Sequence, residues 1–429
     1  MDNVEEEFED TAFIDESFFT GESPAEEKKE DSLNNMLQSQ YSPKQLGSIA
    51  KFIEPINGNS PLETATKFFE ESPDVRVLPV EAYDRVVGFI DRKTLEVSTN
   101  TFLKRLTSSN IIDYTQKTEA IFYASDYIEN ILKKISDINR ATGIVYFCVF
   151  DSRSFYGMVS LDDVLDRISE IREQDLEKAS FIQQTFFPHE DSLQDLPYRI
   201  FTWNKMANAL GGDMIQLYKL SDKKSIVGCF DVSGKNVAAS LLTITIGTFF
   251  TSLSLMNYAE KNPVKIIAML DSYLHKIVPP GNFITAVICY VDFESRKICL
   301  FNCGHTTTYM LFKDSPEDER GKIASVNPKL PPLGMGVVKA ELEKANAGKR
   351  PYIAYDIRFG LHIDMYSDGL TDMKNVDDIR FEDERTKKFF ASLYDVKDQN
   401  VVETIQKQVD DWTGTTMLPD DITVIDIRF

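Results

Sequence analysis

Gly211-Gly212-Asp213-Met214-Ile215-Gln216-Leu217-Tyr218, followed by Ser225-Ile226-Val227-Gly228-Cys229-Phe230-Asp231-Val232-Ser233-Gly234, is the stretch that decides the fold. Its apolar runs predict a hairpin of buried strands, and each run carries an aspartate at one end. The arrangement recurs downstream in Leu361-His362-Ile363-Asp364-Met365-Tyr366 with Ser367-Asp368-Gly369, and in Asp420-Asp421-Ile422-Thr423. A lone aspartate at a strand end is ordinarily a turn residue bonded to its own backbone. Asp213, Asp231, Asp368 and Asp420 together, three of them with glycine beside or close by, point elsewhere. Glycine lets backbone approach an ion, and carboxylates without His or Cys partners suit hard cations such as Mg²⁺ or Mn²⁺.

The order and wording of these phrases resemble the metal-dependent protein phosphatases (PPM, or type 2C). The branch is the bacterial one of sporulation and stress-response phosphatases that act on sigma-factor regulators. Further matching phrases follow in family order: Phe181-Ile182-Gln183-Gln184-Thr185-Phe186-Phe187-Pro188, Phe283-Ile284-Thr285-Ala286, Asn302-Cys303-Gly304-His305 and Leu333-Gly334. The resemblance spans roughly residues 180 to 429. It implies two Mg²⁺ or Mn²⁺ ions sharing Asp231, with Asp213 and the Val232 carbonyl on one ion and Asp368 and Asp420 on the other. It also implies an activated water that attacks a phosphoserine or phosphothreonine in line, so these aspartates are the expected catalytic set. His305 reads as a structural histidine in a Gly-His turn rather than a general acid, and Asn302 as a turn former. Three positions depart from the family wording: Gln216 stands where a second acidic residue is common, Lys235-Asn236 follows the Asp231 loop, and Asp372 replaces a glutamate. Lys235 reads as a solvated lysine or as a contact for substrate phosphate.

Composition narrows the field. At 429 residues with 42% hydrophobic content, the chain predicts two or three domains with real cores. A formal net charge of -21 argues against nucleic acid and anionic membrane as partners. The acidic N-terminus lacks the pattern of a signal peptide, and the expectation is a cytoplasmic protein without a membrane span. Cys148, Cys229, Cys289, Cys299 and Cys303 lie in or beside strand-like runs and read as core thiols, not a disulfide or zinc framework.

The fold class expected is α+β: a C-terminal two-sheet sandwich with helices outside, preceded by an α/β regulatory domain. Residues 1–45 read as a disordered acidic tail, since the first thirty contain twelve Asp or Glu against two Lys. Within it Phe8, Phe13, Ile14, Phe18 and Phe19 leave open a segment that folds onto a partner. Residues 46–165 show a helix-strand-strand-helix pattern repeated at about 60 to 70 residues, a sign of duplication. This resembles a tandem of cystathionine-β-synthase-type (CBS) modules, which implies an adenine nucleotide as regulatory ligand. In the second copy, Gly157-Met158-Val159-Ser160-Leu161-Asp162-Asp163 matches the family phrase whose hydroxyl and carboxylate hold phosphate and ribose, here Ser160 and Asp163; the first copy, Gly88-Phe89-Ile90-Asp91-Arg92-Lys93-Thr94, departs from it. The alternative is that Ser160 and Asp163 merely cap a helix. Residues 161–187 read as a connecting helix whose seam of Val164, Ile168, Ile171, Leu176, Ala179 and Ile182 suggests a homodimer or packing on its own domain. Residues 188–429 are then the phosphatase-like domain. The function expected is dephosphorylation of a phosphoprotein resembling an anti-sigma antagonist, under control of the CBS-like pair. The alternative is a catalytically weak phosphatase fold that acts as a regulatory binding protein.

Overall fold

In the N-terminal unit one local pattern is built twice. The computed structural model describes residues 34–99, 109–118, 120–234, 237–256, 258, 260–313, 321–344 and 350–429. The aromatic residues between Phe8 and Phe19, and Lys235 with Asn236, lie outside the described residues. The chain divides into two compact units, Met1–Gln174 and Asp175–Phe429. The first repeat comprises β1 (Ile56–Asn57), α1 (Leu62–Glu71), β2 (Val77–Ala82), β3 (Arg85–Asp91) and α2 (Arg92–Thr99), with β4 (Gln116–Lys117) added at the sheet edge. The second comprises β5 (Phe122–Tyr123), α3 (Ile128–Thr142), β6 (Tyr146–Asp151), β7 (Ser154–Ser160) and α4 (Leu161–Gln184). In both, the short strand pairs parallel with the first strand of an antiparallel hairpin. Val77 and Phe89 from the first repeat share an apolar cluster with Cys148 and Met158 from the second.

Two local expectations shift here. The apolar run from Gly143 to Phe150 predicts a strand from its first residue, but α3 continues to Thr142 and Gly143 ends it in the left-handed region at φ 75°, where a residue without Cβ is unstrained. Residues 34–45, assigned by sequence to the acidic tail, pack on the second repeat. The Tyr156 hydroxyl donates to the Leu37 carbonyl at 2.6 Å, and the Tyr41 ring meets Tyr156 edge-on at 5.3 Å.

The C-terminal unit is a sandwich of two five-stranded sheets. Its strands are β8 (Arg199–Lys205), β9 (Asp213–Ser221), β10 (Lys224–Val232), β11 (Ile284–Asp292), β12 (Lys297–Cys303), β13 (Thr308–Phe312), β14 (Lys322–Val326), β15 (Ile353–Asp356), β16 (His362–Tyr366) and β17 (Ile422–Arg428). The sheet orders are β15-β12-β11-β10-β9 and β14-β13-β16-β17-β8. Alternate residues of both sheets, among them Val227, Cys229, Val287, Cys289, Ile363, Met365, Ile425 and Ile427, meet in a shared core, as the period of two along a strand requires. Helices α5 (Val237–Leu255) and α6 (Pro263–Leu274) cover one outer face, followed in the chain by the short α7 (Val338–Lys344). Helices α8 (Glu382–Leu393) and α9 (Val401–Thr413) cover the other.

Helix α5 is long and apolar enough, by length and composition, to cross a bilayer, with mean hydropathy 1.6. The sequence reading passes over it because Ser and Thr interrupt its apolar run. Ala239, Leu242, Ile246, Phe249, Phe250 and Leu253 pack one of its faces on the outer side of the β9-β10-β11 sheet, which explains its apolarity without a membrane.

Candidate metal centre and its relatives

The β9-β10 hairpin places Asp213 and Asp231 directly opposite one another on neighbouring strands. Asp368 directly follows Ser367 at the end of β16, and Asp420 lies just before β17, its neighbour in the other sheet. Ser367 and Thr423 lock those two ends together: the Ser367 N–H donates to the Thr423 carbonyl at 3.0 Å and the Thr423 N–H to Ser367 Oγ at 2.9 Å. The two sheets are then tied at this end by Asp421. Its carboxylate accepts the Ala207 N–H at 2.8 Å and the Gly212 N–H at 2.7 Å, fixing the loop that leads into Asp213. Gly369 sits so close to Asp421 that an added Cβ would lie 2.0 Å from its carbonyl oxygen. Only glycine permits that approach.

Electrostatics link the four carboxylates through Asp231, which feels Asp368 and Asp420 and in turn acts on Asp213. Burial and then the charge of Asp231 hold the Asp213 carboxyl well above the usual carboxylate range. Burial, then Asp368 and Asp420, push Asp231 up to about 7. Neighbouring anions that raise a carboxyl's pKa in this way form a strongly negative pocket. Asp213 is 2% exposed, and its Oδ2 is buried without a hydrogen-bond partner. An unsatisfied buried carboxylate oxygen facing a second carboxylate suits a bound cation. Among the described residues no group of three or more His, Cys, Asp or Glu side chains already stands in ligating arrangement. The Val232 carbonyl, the other expected ligand, lies 2.9 Å from where a Cβ on Gly212 would stand.

Residues around the carboxylates hold them in place. Thr285 is the register partner of Asp231 on β11. Its Oγ1 is 2.9 Å from His305 Nδ1 and 3.5 Å from Asp231 Oδ2. His305 is buried, and desolvation lowers its pKa to about 4, so it is neutral at pH 7 and lacks the imidazolium proton of a general acid. Asn302 accepts the His305 N–H on Oδ1 at 2.9 Å and donates to the Thr306 carbonyl at 2.7 Å, which makes it the turn former expected. Gln216 is largely buried and donates to the Leu217 carbonyl at 3.2 Å, while half-buried Asp372 pairs with Arg380 at 3.4 Å.

Gln183 carries a role that the sequence reading does not assign. This buried side chain from the last turn of α4 donates through Nε2 to the Gly211 carbonyl at 2.7 Å and to Thr243 Oγ1 at 2.8 Å. Its Oε1 accepts the Gly211 N–H at 3.3 Å. Both ends of the amide therefore grip the backbone two residues ahead of Asp213. Its position inside the Phe181–Pro188 phrase was the available signal; the long-range bond was not readable from it.

In the N-terminal unit, Ser160 and Asp163 form a closed reciprocal cap at the start of α4. Ser160 Oγ donates to Asp163 Oδ2 at 2.5 Å, the Ser160 N–H donates to the same oxygen at 2.9 Å, and the Asp163 N–H donates to Ser160 Oγ at 3.0 Å. The first repeat builds the same cap with the residue types exchanged: Thr94 donates through N–H and Oγ1 to Asp91, each at 2.8 Å. The departure noted in the first copy is thus a swap of the two capping partners.

Residues 221–429 match the sequence profile of the family described as Stage II sporulation protein E (SpoIIE). The C-terminal unit is thus similar to PPM-type phosphatase domains of the SpoIIE branch over that stretch. Over 141 residues the chain is 23% identical to phosphoserine phosphatase RsbP of Bacillus subtilis (strain 168), covering 32% of this chain and 33% of that protein. The chain therefore spans about a third of the length of that curated relative. Among solved structures, the SiaA-PP2C domain of Pseudomonas aeruginosa aligns with TM-score 0.50 and 17% identity, over 61% of this chain and 98% of that one, a likeness of fold. The PP2C phosphatase domain and regulatory fragment of SpoIIE from Bacillus subtilis aligns with TM-score 0.40 and 14% identity, over 54% and 64% of the two chains. The PPM fold puts Asp213, Asp231, Asp368 and Asp420 at one end of the sandwich.

Proposed function

We propose that this protein removes phosphate from phosphoserine or phosphothreonine on a cytoplasmic signalling protein resembling an anti-sigma antagonist, using two Mn²⁺ or Mg²⁺ ions. The observation that carries this reading is the fully buried, unpartnered Asp213 Oδ2 set against Asp231, Asp368 and Asp420. Asp231 would be shared between the ions, with Asp213 and the Val232 carbonyl on one side and Asp368 and Asp420 on the other. Such ions, when bound, make a water nucleophilic at neutral pH and offset charge on the phosphoryl oxygens. The chain's own contribution is placement. Gln183 and Asp421 hold the loop before Asp213, and Thr285 holds Asp231 against a neutral His305. Burial and mutual repulsion disfavour the ionised forms of Asp213 and Asp231, and a bound cation would favour them.

Control belongs to α4 in this reading. The helix begins in the second repeat and ends in the Gln183 grip on Gly211, so a shift of its last turn moves the backbone that leads into Asp213. A helix with two packings is a bistable element that a ligand biases by its differential affinity. Adenine nucleotide is the candidate ligand by resemblance to CBS modules, and the closed Ser160-Asp163 cap would have to open to receive it. Calorimetry of the full chain with AMP and ATP tests that part, and no heat with either removes it.

The main test is phosphate release from a phosphoserine protein with Mn²⁺ and with EDTA. Release that depends on Mn²⁺ is expected. If Mn²⁺ binds without any turnover, the chain is the regulatory binding protein that Gln216 at the second acidic position would also accommodate.

A further inference from the structure

Asp271 sits in the last turn of α6 and is fully buried. The negative end of the helix dipole disfavours a carboxylate there, and burial disfavours it further. What compensates lies outside the helix. Asp271 Oδ1 accepts the Gly334 N–H at 3.0 Å and Oδ2 accepts the Val338 N–H at 3.1 Å. His275, one turn on, places Nδ1 3.0 Å from the Gly334 carbonyl. Both Gly334 and Gly336 adopt the left-handed region, at φ 85° and 73°, and a Cβ on Gly336 would stand 2.8 Å from the His275 ring. The loop is therefore a shape that costs conformational entropy and is fastened from α6.

The fastened loop reaches the metal centre through backbone. Leu333 exchanges both hydrogen bonds with Ile284: the Ile284 N–H donates to the Leu333 carbonyl at 3.0 Å, and the Leu333 N–H to the Ile284 carbonyl at 2.8 Å. Ile284 pairs with Val232, and the next residue, Thr285, pairs with Asp231 and touches its carboxylate. The loop is thus an extra edge segment on the end of β11 that faces the shared aspartate. We propose that Asp271 is a positioning residue for the metal-binding carboxylates, acting through Gly334 and Val338, Leu333 and Ile284, and finally Thr285 on Asp231. This rests on the reading of that centre as a metal-dependent phosphatase site.

The test uses the full chain with Asp271→Ala, which removes both acceptors, and Asp271→Asn, which keeps one. Amide exchange is followed in the metal-free protein, Mn²⁺ binding by calorimetry, and turnover with p-nitrophenyl phosphate. Losing hydrogen bonds to a buried charged group is expected to weaken Mn²⁺ binding about tenfold in the Ala variant and less in Asn. The same variants should speed exchange at Leu333 and Ile284 and lower kcat with little change in KM. Faster exchange confined to Gly334 and Val338, with wild-type Mn²⁺ affinity, would overturn the proposal and leave Asp271 as a loop anchor only. If the Ala variant does not fold, the Asn variant decides on the same two readouts. A wild-type chain that binds Mn²⁺ but releases no phosphate removes the phosphatase reading while leaving the Asp271 effect on metal affinity to stand or fall by itself. A wild-type chain that binds no Mn²⁺ removes both.

Discussion

Asp213 stands where folding alone disfavours a carboxylate: it is buried, faces another carboxylate and has one oxygen unpartnered. Asp213→Asn is expected to abolish Mn²⁺-dependent phosphate release. Without metal it should raise the melting temperature by about 2–4 °C, the shift that roughly 1 kcal/mol gives in a domain of this size. A variant that keeps wild-type turnover at saturating Mn²⁺ would contradict the site assignment. Gln183 offers a second residue-scale test. Gln183→Ala frees the Gly211 backbone and is expected to lower turnover by about tenfold or more, given the cost of unpairing buried polar groups. Steady-state kinetics at saturating Mn²⁺ checks this, and an unchanged kcat would make the grip on Gly211 merely structural. Neither partner of Gln183 is near it in sequence, so its role emerges only from the fold.

At the scale of elements, the β16-β17 pair carries a second buried acidic couple away from the metal centre. Asp364 and Asp426 are direct register partners, and Arg428 donates from Nε to Asp426 Oδ2 at 2.8 Å. Burial, then the charge of Asp426, holds Asp364 well above the usual carboxylate range. A carboxyl with a raised folded pKa subtracts stability once pH exceeds its unfolded value of about 4, and the loss grows as pH climbs toward the folded value. Asp364→Asn should therefore be neutral near pH 4 and stabilising at pH 8, by about 2–4 °C in thermal melts. An equal effect at both pH values would contradict this. The long elements of this unit were legible because their apolar runs are long. Strands β14 and β15 and helix α7 fall in a stretch that reads as broken by charge and proline. Strand β14 buries only Val326, and β15 is too short, at four residues, for its alternation of half-buried and exposed positions to stand out. Helix α8 also escaped the sequence reading, because its first turn is uniformly acidic.

For the whole molecule, the decisive element is α4. Val164 and Ile168 belong to the core of the second repeat, whereas Leu176 and Ile182 are exposed at 37% and 52%, with Phe181 at 71%. The apolar seam read from the sequence is thus divided: its first turns are used inside the chain, and its later turns face solvent. We expect a homodimer built on Leu176, Phe181 and Ile182. Leu176→Asp with Ile182→Asp should yield a monomer in light scattering and change the phosphatase rate. A wild-type chain that is monomeric at micromolar concentration would leave α4 as a connector only.

The sequence by itself determined the four aspartates, the β9-β10 hairpin that carries two of them, the duplication of the N-terminal unit and the two-sheet sandwich. Each of these is written in local patterns: apolar period, glycine beside a carboxylate, a phrase repeated along the chain. Tertiary structure alone decided which neighbour does what. Asp420 and Asp421 are adjacent and identical in kind, yet Asp421 spends its carboxylate on the Ala207 and Gly212 amides while Asp420 contributes its charge to Asp231. Ser160 and Asp163 match a ligand phrase, and the fold has them close a helix cap on each other. Gln183 and Asp271 hold backbone 28 and 63 residues away. A hydrogen bond is made to whatever the fold brings within about 3 Å, and that proximity is a property of the assembled sheets, not of the residues flanking the donor.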